Sequence, residues 1–199
     1  MIGHAAFLRA QPGPEATPGN TVAVTADNFS RAESDMYFAL FVRRGAFGKF
    51  VHFREPPLES TGVRPNRDTL YSEAVFDLDA GPVTITLPDA GSRFMSMIII
   101  DEDHYASEVV YGAGDYTLTK AKVGTRYVFT AVRTLVNPAD PDDVKQVHAL
   151  QDAIKVEQPG GPGEFEAPNW DSINQKKVRD ALKALGGDAS RYEPRIRYA

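Results

Sequence analysis

The sequence contains no cysteine. Disulfides, thiolate nucleophiles and cysteine metal clusters are therefore excluded together. The compartment is not fixed by this, because a cysteine-free fold survives in either redox environment. Long apolar runs are also missing. The longest, Phe94 to Ile100, is far too short to span a bilayer. The N-terminus MIGHAAFLRA has neither a basic start nor an apolar stretch of signal-peptide length. The expected location is cytoplasmic, or periplasmic if a signal has been removed. No lysine/arginine block stands out, and the net charge is −5. Nucleic acid and anionic membranes are poor partners for such a charge pattern. Nucleotide and hydrolase signatures are lacking too. No helix follows the glycines of YGAGD (Tyr111 to Asp115) directly, and no G-x-S-x-G occurs. No cofactor is expected.

What is present suits one domain with trimmings. The chain has 199 residues, 42% hydrophobic and 25% charged, enough to bury a core without staples. Residues 1–23 read as a flexible arm, with Pro and Gly concentrated between Gln11 and Asn20. Phe29, Ala32, Met36, Tyr37, Leu40 and Phe41 recur three and four apart, predicting a helix over Asp27 to Arg44 with Gly45 just past its end. From Val51 to Gly62 the chain reads as irregular, with Pro56–Pro57 blocking regular structure.

The middle alternates with a period of two. Leu70 to Leu78 and Val83 to Leu87 read as strands, and DAGP (Asp79 to Pro82) between them predicts a hairpin. Phe94 to Ile100 is apolar on both faces, as in a covered central strand. Tyr116 to Thr119 and Tyr127 to Leu135 supply two more strands, with Lys122-Val123-Gly124 as the turn between them. Asp140-Pro141-Asp142-Asp143 is a helix start, and Val144, Val147, Leu150 and Ile154 form its apolar stripe. Pro159 to Gly163 reads as a linker. A last helix follows, with Ser172 and Gln175 spaced as a capping box, Val178, Ala181, Leu182 and Leu185 as its buried stripe, and Gly186–Gly187 at its end. The expected fold class is mostly β: an antiparallel sandwich with one N-terminal and two C-terminal helices. The domain is expected over 24–158, with linker, helix and tail over 159–199.

The strings NRDTLYS (Asn66 to Ser72), FDLDAGPVTITLPDAGSRFMSM (Phe76 to Met97), DEDHY (Asp101 to Tyr105), YGAGDYTLT (Tyr111 to Thr119), GTRYV (Gly124 to Val128) and RTLVNPADPDD (Arg133 to Asp143) strongly resemble the family called domain of unknown function 1254. VTADNF (Val24 to Phe29), LQDAIKVEQ (Leu150 to Gln158) and NWD (Asn169 to Asp171) are similar to it as well. The likeness runs from about Val24 to Leu185. It implies an immunoglobulin-like sandwich with flanking helices, and no established reaction. Typical members of the family continue into a second β domain of unknown function, number 1214. The chain here runs into DASRYEPRIRYA instead.

Several polar clusters are candidates for chemistry. Asn66, Arg67 and Asp68 stand immediately before a predicted strand, where Arg67 can hold a carboxylate and Asp68 can act as a base. The alternative is plain turn capping by Asn66 and Asp68. In DEDHY, Asp101 and Asp103 would share a side with His104 next to them. Two carboxylates and an imidazole can hold Zn or Mn, but one short cluster is too little for a metal site, and none is assigned. Arg93, Arg126 and Arg133 lie at or near strand ends, facing either a common ligand or acids such as Asp77. Tyr71 belongs to a tyrosine-rich stretch suited either to ring-bearing ligands or to packing. Ser72 and Ser96 have no obvious base beside them, and His52 and His148 look isolated.

Two functions follow. The first is a binding or assembly module that pairs with a second copy, as a homodimer, or with a separately encoded partner domain. The second is an enzyme, a hydrolase or lyase, acting on a small polar or carbohydrate-like substrate. In that reading Asp68 or Asp103 is the base, His104 the acid, and Asn66, Arg67, Tyr71, Arg93 and Arg126 hold the ligand.

Overall fold

A computed structural model describes residues 21–56 and 66–186. Residues 1–20 of the expected N-terminal arm, Pro57 to Gly62 and the tail from Gly187 lie outside these residues. Within them the chain is mostly antiparallel β-sheet with four helices. It divides into two units, one made of residues 27–167 and the other of segments on either side of it.

The larger unit opens with α1 (Phe29–Arg43). Gly45 takes φ 88°, so its N–H reaches the Val42 carbonyl at 2.9 Å and the Ala46 N–H reaches Phe41 at 3.1 Å. That is the left-handed stop expected of glycine past a helix end. The buried face differs from the predicted stripe. Ala32, Ser34, Asp35 and Phe38 are buried, whereas Met36 and Tyr37 are exposed. A polar contact, described below, draws Ser34 and Asp35 inward and rotates the helix away from its apolar pattern.

Next come β1 (Val51–His52), β2 (Thr69–Asp77), β3 (Val83–Leu87), β4 (Met95–Asp101), β5 (Ala106–Tyr111) and β6 (Gly114–Leu118). After these follow α2 (Lys120–Val123), β7 (Tyr127–Leu135), α3 (Pro141–Asp152) and β8 (Lys155–Glu157). One sheet has the order β1-β2-β7-β4-β5 and the other β6-β3-β8. β7 is the spine of the first: Thr69 pairs with Leu135 and Asp77 with Tyr127 on one side, Met95 with Thr134 and Asp101 with Val128 on the other.

The expected hairpin at DAGP does not form. β2 and β3 are strong consecutive strands, but they belong to different sheets, so the turn carries the chain from one sheet to the other. The expected turn at Lys122 contains α2, capped by the Thr119 side chain and stopped by Gly124 at φ 95°. β1, β5 and β8 were not foreseen. Each is an edge strand, short or exposed on both faces, and such strands carry little periodic signal. The two sheets share one apolar core, built from Ala74 and Phe76 of β2, Val83, Ile85 and Leu87 of β3, Met95, Met97 and Ile99 of β4, and Val128 and Val132 of β7. The opposite face of β2 and β7 packs on α1 through Phe38, Val75 and Tyr127, with Phe41 and Phe129 alongside.

α3 begins as its sequence requires. Asp140 accepts from the Asp142 and Asp143 N–H groups, and Pro141 takes the first helical position. Residues 158–166, in contrast, do not behave as a linker. Gln158 Nε2 donates to the carbonyls of Asp77 (2.7 Å) and Gly81 (3.2 Å). A Cβ on Gly160 would lie 1.9 Å from the Ala80 carbonyl oxygen. The Tyr127 hydroxyl donates to the Glu164 carbonyl and accepts from the Glu166 N–H, both at 2.8 Å. The segment is a strap pinned to the sheet by close backbone approach.

In the smaller unit Val22 pairs with Trp170 as an isolated bridge, followed by α4 (Ser172–Gly186). The cap is Asp171, which accepts from Ile173 and Asn174, and not the predicted Ser172–Gln175 box. The stripe Ala181, Leu182 and Leu185 is exposed, Leu185 to 84%, against the expectation of burial. Its spacing showed which residues share a face, and spacing alone cannot say whether a partner covers it.

Candidate functional site

The sheet register separates the candidate residues into two groups. Asn66, Arg67 and Asp68 precede Thr69, which pairs with the Leu135 end of β7, and Arg93 bonds to that same end. Asp103 and His104 follow Asp101, which pairs with Val128 at the other end of β7, next to Arg126. Seven residues of strand separate the two ends, roughly 23 Å at about 3.3 Å per residue. Asp68 and His104 therefore cannot serve one small substrate as base and acid, and that pairing is corrected.

Within each group most of these side chains are engaged in the fold. Asn66 Oδ1 accepts from the Asp68 N–H at 2.9 Å, the local turn bond of an Asx motif. Arg93 pairs with Asp143 and donates to the Leu135 carbonyl at 2.8 Å. The Arg93 hydrogen bond, with help from the Asn137 N–H, holds the Asp143 carboxyl down at about 2. Arg126 grips Asp77 with two nitrogens, at 3.1 and 2.9 Å, and reaches Glu166 at 3.2 Å. Burial works to raise the Asp77 carboxyl. The Arg126 and Asp79 hydrogen bonds outweigh it, and the carboxyl sits below its ordinary value. Both arginines meet acids, the structural alternative raised by the sequence.

At the β4–β5 turn, His104 adopts φ 70°, a conformation costly for a side chain with Cβ. The turn is held by the Asp101 carboxyl, which accepts from the Tyr105 N–H at 2.9 Å. His104 Nδ1 lies 3.1 Å from Ser34 Oγ, and Arg31 reaches Asp103 at 2.7 Å and Glu102 at 3.3 Å. Glu102, which the sequence reading passed over, is buried and accepts from the Tyr127 N–H at 2.8 Å. This polar set ties α1 to the sheet and accounts for the burial of Ser34 and Asp35. Among the described residues, no three His, Asp or Glu side chains converge in an arrangement able to hold a metal ion.

Two histidines that looked isolated have partners. His52 Nδ1 lies 2.8 Å from Ser72 Oγ. Ser72 is only 1% exposed, so the pair is interior rather than a nucleophile open to substrate. His148 Nε2 lies 2.8 Å from the Arg54 carbonyl. Gln151, fully buried, donates to the carbonyls of Phe53 and Tyr71, stitching α3 to β2.

Two features remain without a structural explanation. The first is a cavity of about 310 Å³ beside β2, walled by Phe41, Phe53 and Tyr71, with Arg44, Glu55, Thr69 and Glu73 as polar members. Glu73 points to the α1 side of the sheet, as Tyr71 does two residues earlier. Burial pushes its carboxyl up to about 7 against the opposing pull of Arg44. The buried Glu73 Oε2 has no hydrogen-bond partner. The sequence reading missed Glu73, because an acid alternating within a strand normally faces water.

The second feature is the outer face of β4 and β5. Ser96 pairs with Tyr111 and Ile98 with Val109, while Met97, Ile99 and Val110 turn inward to the core. Tyr111 is 66% exposed, Val109 44% and Phe94 41%, and the Phe94 and Tyr111 rings stand 6.1 Å apart. β5 ends its sheet, with only Val110 of its six residues buried.

No curated protein matches the chain. Among solved structures, the VPA0106 protein from Vibrio parahaemolyticus is similar, with a TM-score of 0.53 and 16% identity. The likeness covers 73% of this chain and 41% of that one. At that identity it speaks for the fold alone, and this chain spans about two-fifths of the other protein's length. Among the described residues no helix is long and apolar enough to cross a membrane. A family described as "Protein of unknown function (DUF1254)" matches residues 47–158. That match spans more than half of the sequence and every strand from β1 to β8, and the chain belongs to the DUF1254 family.

Proposed function

We propose that this chain is a binding and assembly module, built as an immunoglobulin-like sandwich, that pairs with a second copy of itself through β5. The observation that carries the reading is the open edge of β5 beside the exposed Phe94, Val109 and Tyr111. Edge strands are normally blunted by lysine, proline or a cover. ASEVVY (Ala106 to Tyr111) has neither residue, and Glu108 is its only charge. A second copy is the favoured occupant, because an antiparallel edge meets itself across a two-fold axis with the same patch from both sides. The sheet then continues through both protomers, and the aromatic face becomes the centre of the contact, where tyrosine contributes most.

Sedimentation velocity tests this. Wild type is expected to sediment as a dimer at micromolar concentration, and Val109→Lys as a monomer with an unchanged far-UV spectrum. A wild type that stays monomeric at the highest concentration sinks the reading, as does a Val109→Lys variant that dimerises like wild type. A second reading, an enzyme acting on a small polar or carbohydrate-like substrate, draws on one observation: the Glu73 carboxyl held in an apolar cavity.

A further inference from the structure

Three buried polar atoms lie on the α1 side of β2 and β7 with no hydrogen-bond partner: Thr69 Oγ1, Glu73 Oε2 and Arg133 Nε. Tyr71 stands between the first two in sequence and opposite Arg133 in the register. The Arg133 guanidinium lies 5.8 Å from the Tyr71 ring centre. Thr69, Tyr71 and Glu73 all line the cavity described above. A buried polar atom left unbonded costs about 1–3 kcal/mol. Two of them, on Thr69 and Glu73, belong to the cavity lining, and the third lies behind the Tyr71 ring; together they call for a group that satisfies them when bound.

We propose that this cavity binds a small ligand with an apolar, ring-sized body and a single carboxylate head. The chemistry of the donors selects the head. The Thr69 and Tyr71 hydroxyls can turn to donate or accept, so the protonation of Glu73 decides which head the site takes. Burial favours the neutral form of Glu73, whose O–H donates. Thr69 Oγ donates, Arg133 Nε donates, and Arg44 at the rim donates and carries positive charge. An acceptor-rich anion satisfies all of them at once, as in shared-proton and arginine–carboxylate pairs. Phe41, Phe53 and Tyr71 supply the apolar walls for the body. The volume, about 310 Å³, is at the small end of ligand pockets, which excludes extended substrates.

The charged and titratable groups that share the cavity with Glu73 are Arg44 just past α1, Glu55 from the segment after β1 and Tyr71 from its own strand, with Arg133 of β7 beyond the Tyr71 ring. β1 presents Val51 opposite Glu73, and His52 is turned to Ser72. Binding of an anion thus needs the Glu73 proton. A ligand with an ammonium head would need the opposite, an ionised Glu73, and would bind better as pH rises. The site is independent of β5 pairing and stands or falls without it.

The experiment is calorimetric titration of the full chain with benzoate and, separately, with benzylammonium, at pH 6 and pH 8. Benzoate is expected to bind about tenfold more tightly at pH 6, because the competent protonated fraction falls about tenfold across that interval. Buffers of different ionisation enthalpy should show proton uptake at pH 8. Glu73→Gln, which keeps a donor without the titration, should bind benzoate equally at both pH values. Arg44→Gln, at an exposed position, should weaken benzoate at both. Benzoate affinity that is flat or rises with pH, preference for benzylammonium, or no benzoate binding by the folded chain each overturns the proposal.

Discussion

A carboxyl in a β-strand is ordinary until its surroundings are known. Glu73 sits in the same alternating pattern as Tyr71 and Val75, and only its cover takes one oxygen of this half-buried acid out of water. Its raised value, about 7 against an ordinary 4.5, links folding to protons. Between those values the unfolded chain ionises while the folded chain keeps its proton, so stability falls as pH rises from about 4.5 to 7. Glu73→Gln removes that slope. The variant is expected to be more stable than wild type at pH 8 by about 1–3 kcal/mol, and similar at pH 4. Urea unfolding across this range checks it, and an unchanged slope would show that Glu73 is not the titrating group. Arg126 has the opposite character. Arg126→Ala leaves Asp77 buried with its strongest partners gone, and a destabilisation of about 2–4 kcal/mol is expected in urea at pH 7. Asp77→Asn combined with Arg126→Ala should recover part of the loss, because no buried charge is then stranded.

At the scale of elements, legibility tracked repetition. β2, β3 and β7 alternate over five to nine positions, β4 is a continuous apolar run, and α3 has its cap, proline and stripe in order, so these are readable. β5 and β8 pair along only one edge and are too short or too exposed to alternate. α1 was readable in extent, yet its face was not, because Ser34 and Asp35 are drawn in by the turn at His104 while Met36 and Tyr37 are left outside. The strap was misread for a different reason. Pro159 to Gly163 has linker composition, yet at Gly160 the Ala80 backbone passes too close for a side chain, and at Gly163 the Asp77 and Ala80 side chains do. Gly160→Ala places a methyl 1.9 Å from the Ala80 carbonyl. It should destabilise the fold by about 2 kcal/mol or more, whereas Gly91→Ala, with open space at its Cβ, loses only through its φ of 59°. Thermal unfolding of the two variants measures the difference. Equal losses would return the strap to the status of a linker.

At the scale of the whole molecule, β5 is the longest of the edge strands among the described residues. Pairing through that edge couples stability to concentration, since association stabilises the folded state alone. The wild-type melting temperature is expected to rise with protein concentration, and that of Val109→Lys to stay constant. A concentration-independent wild type contradicts the assembly reading at this scale too. The candidate residues of the sequence, spread over Asn66 to Asp68, Arg93, Asp103, His104 and Arg126, looked like one constellation because they are close to strand ends. Two ends of one sheet are indistinguishable in a linear string, and β7 holds them roughly 23 Å apart.

The sequence by itself determined the β period, the stop of α1 at Gly45, the start of α3 at Asp140, the freedom from cysteine chemistry and the family. Each of these depends on neighbours along the chain. The tertiary structure alone decided which strands share a sheet, which acids meet arginines and why the Glu73 carboxyl is half-buried. These depend on what crosses from elsewhere: α1 over β2, α3 against Tyr71 and the strap over Ala80. Burial and pairing are properties of three-dimensional neighbours, and no local spacing encodes them.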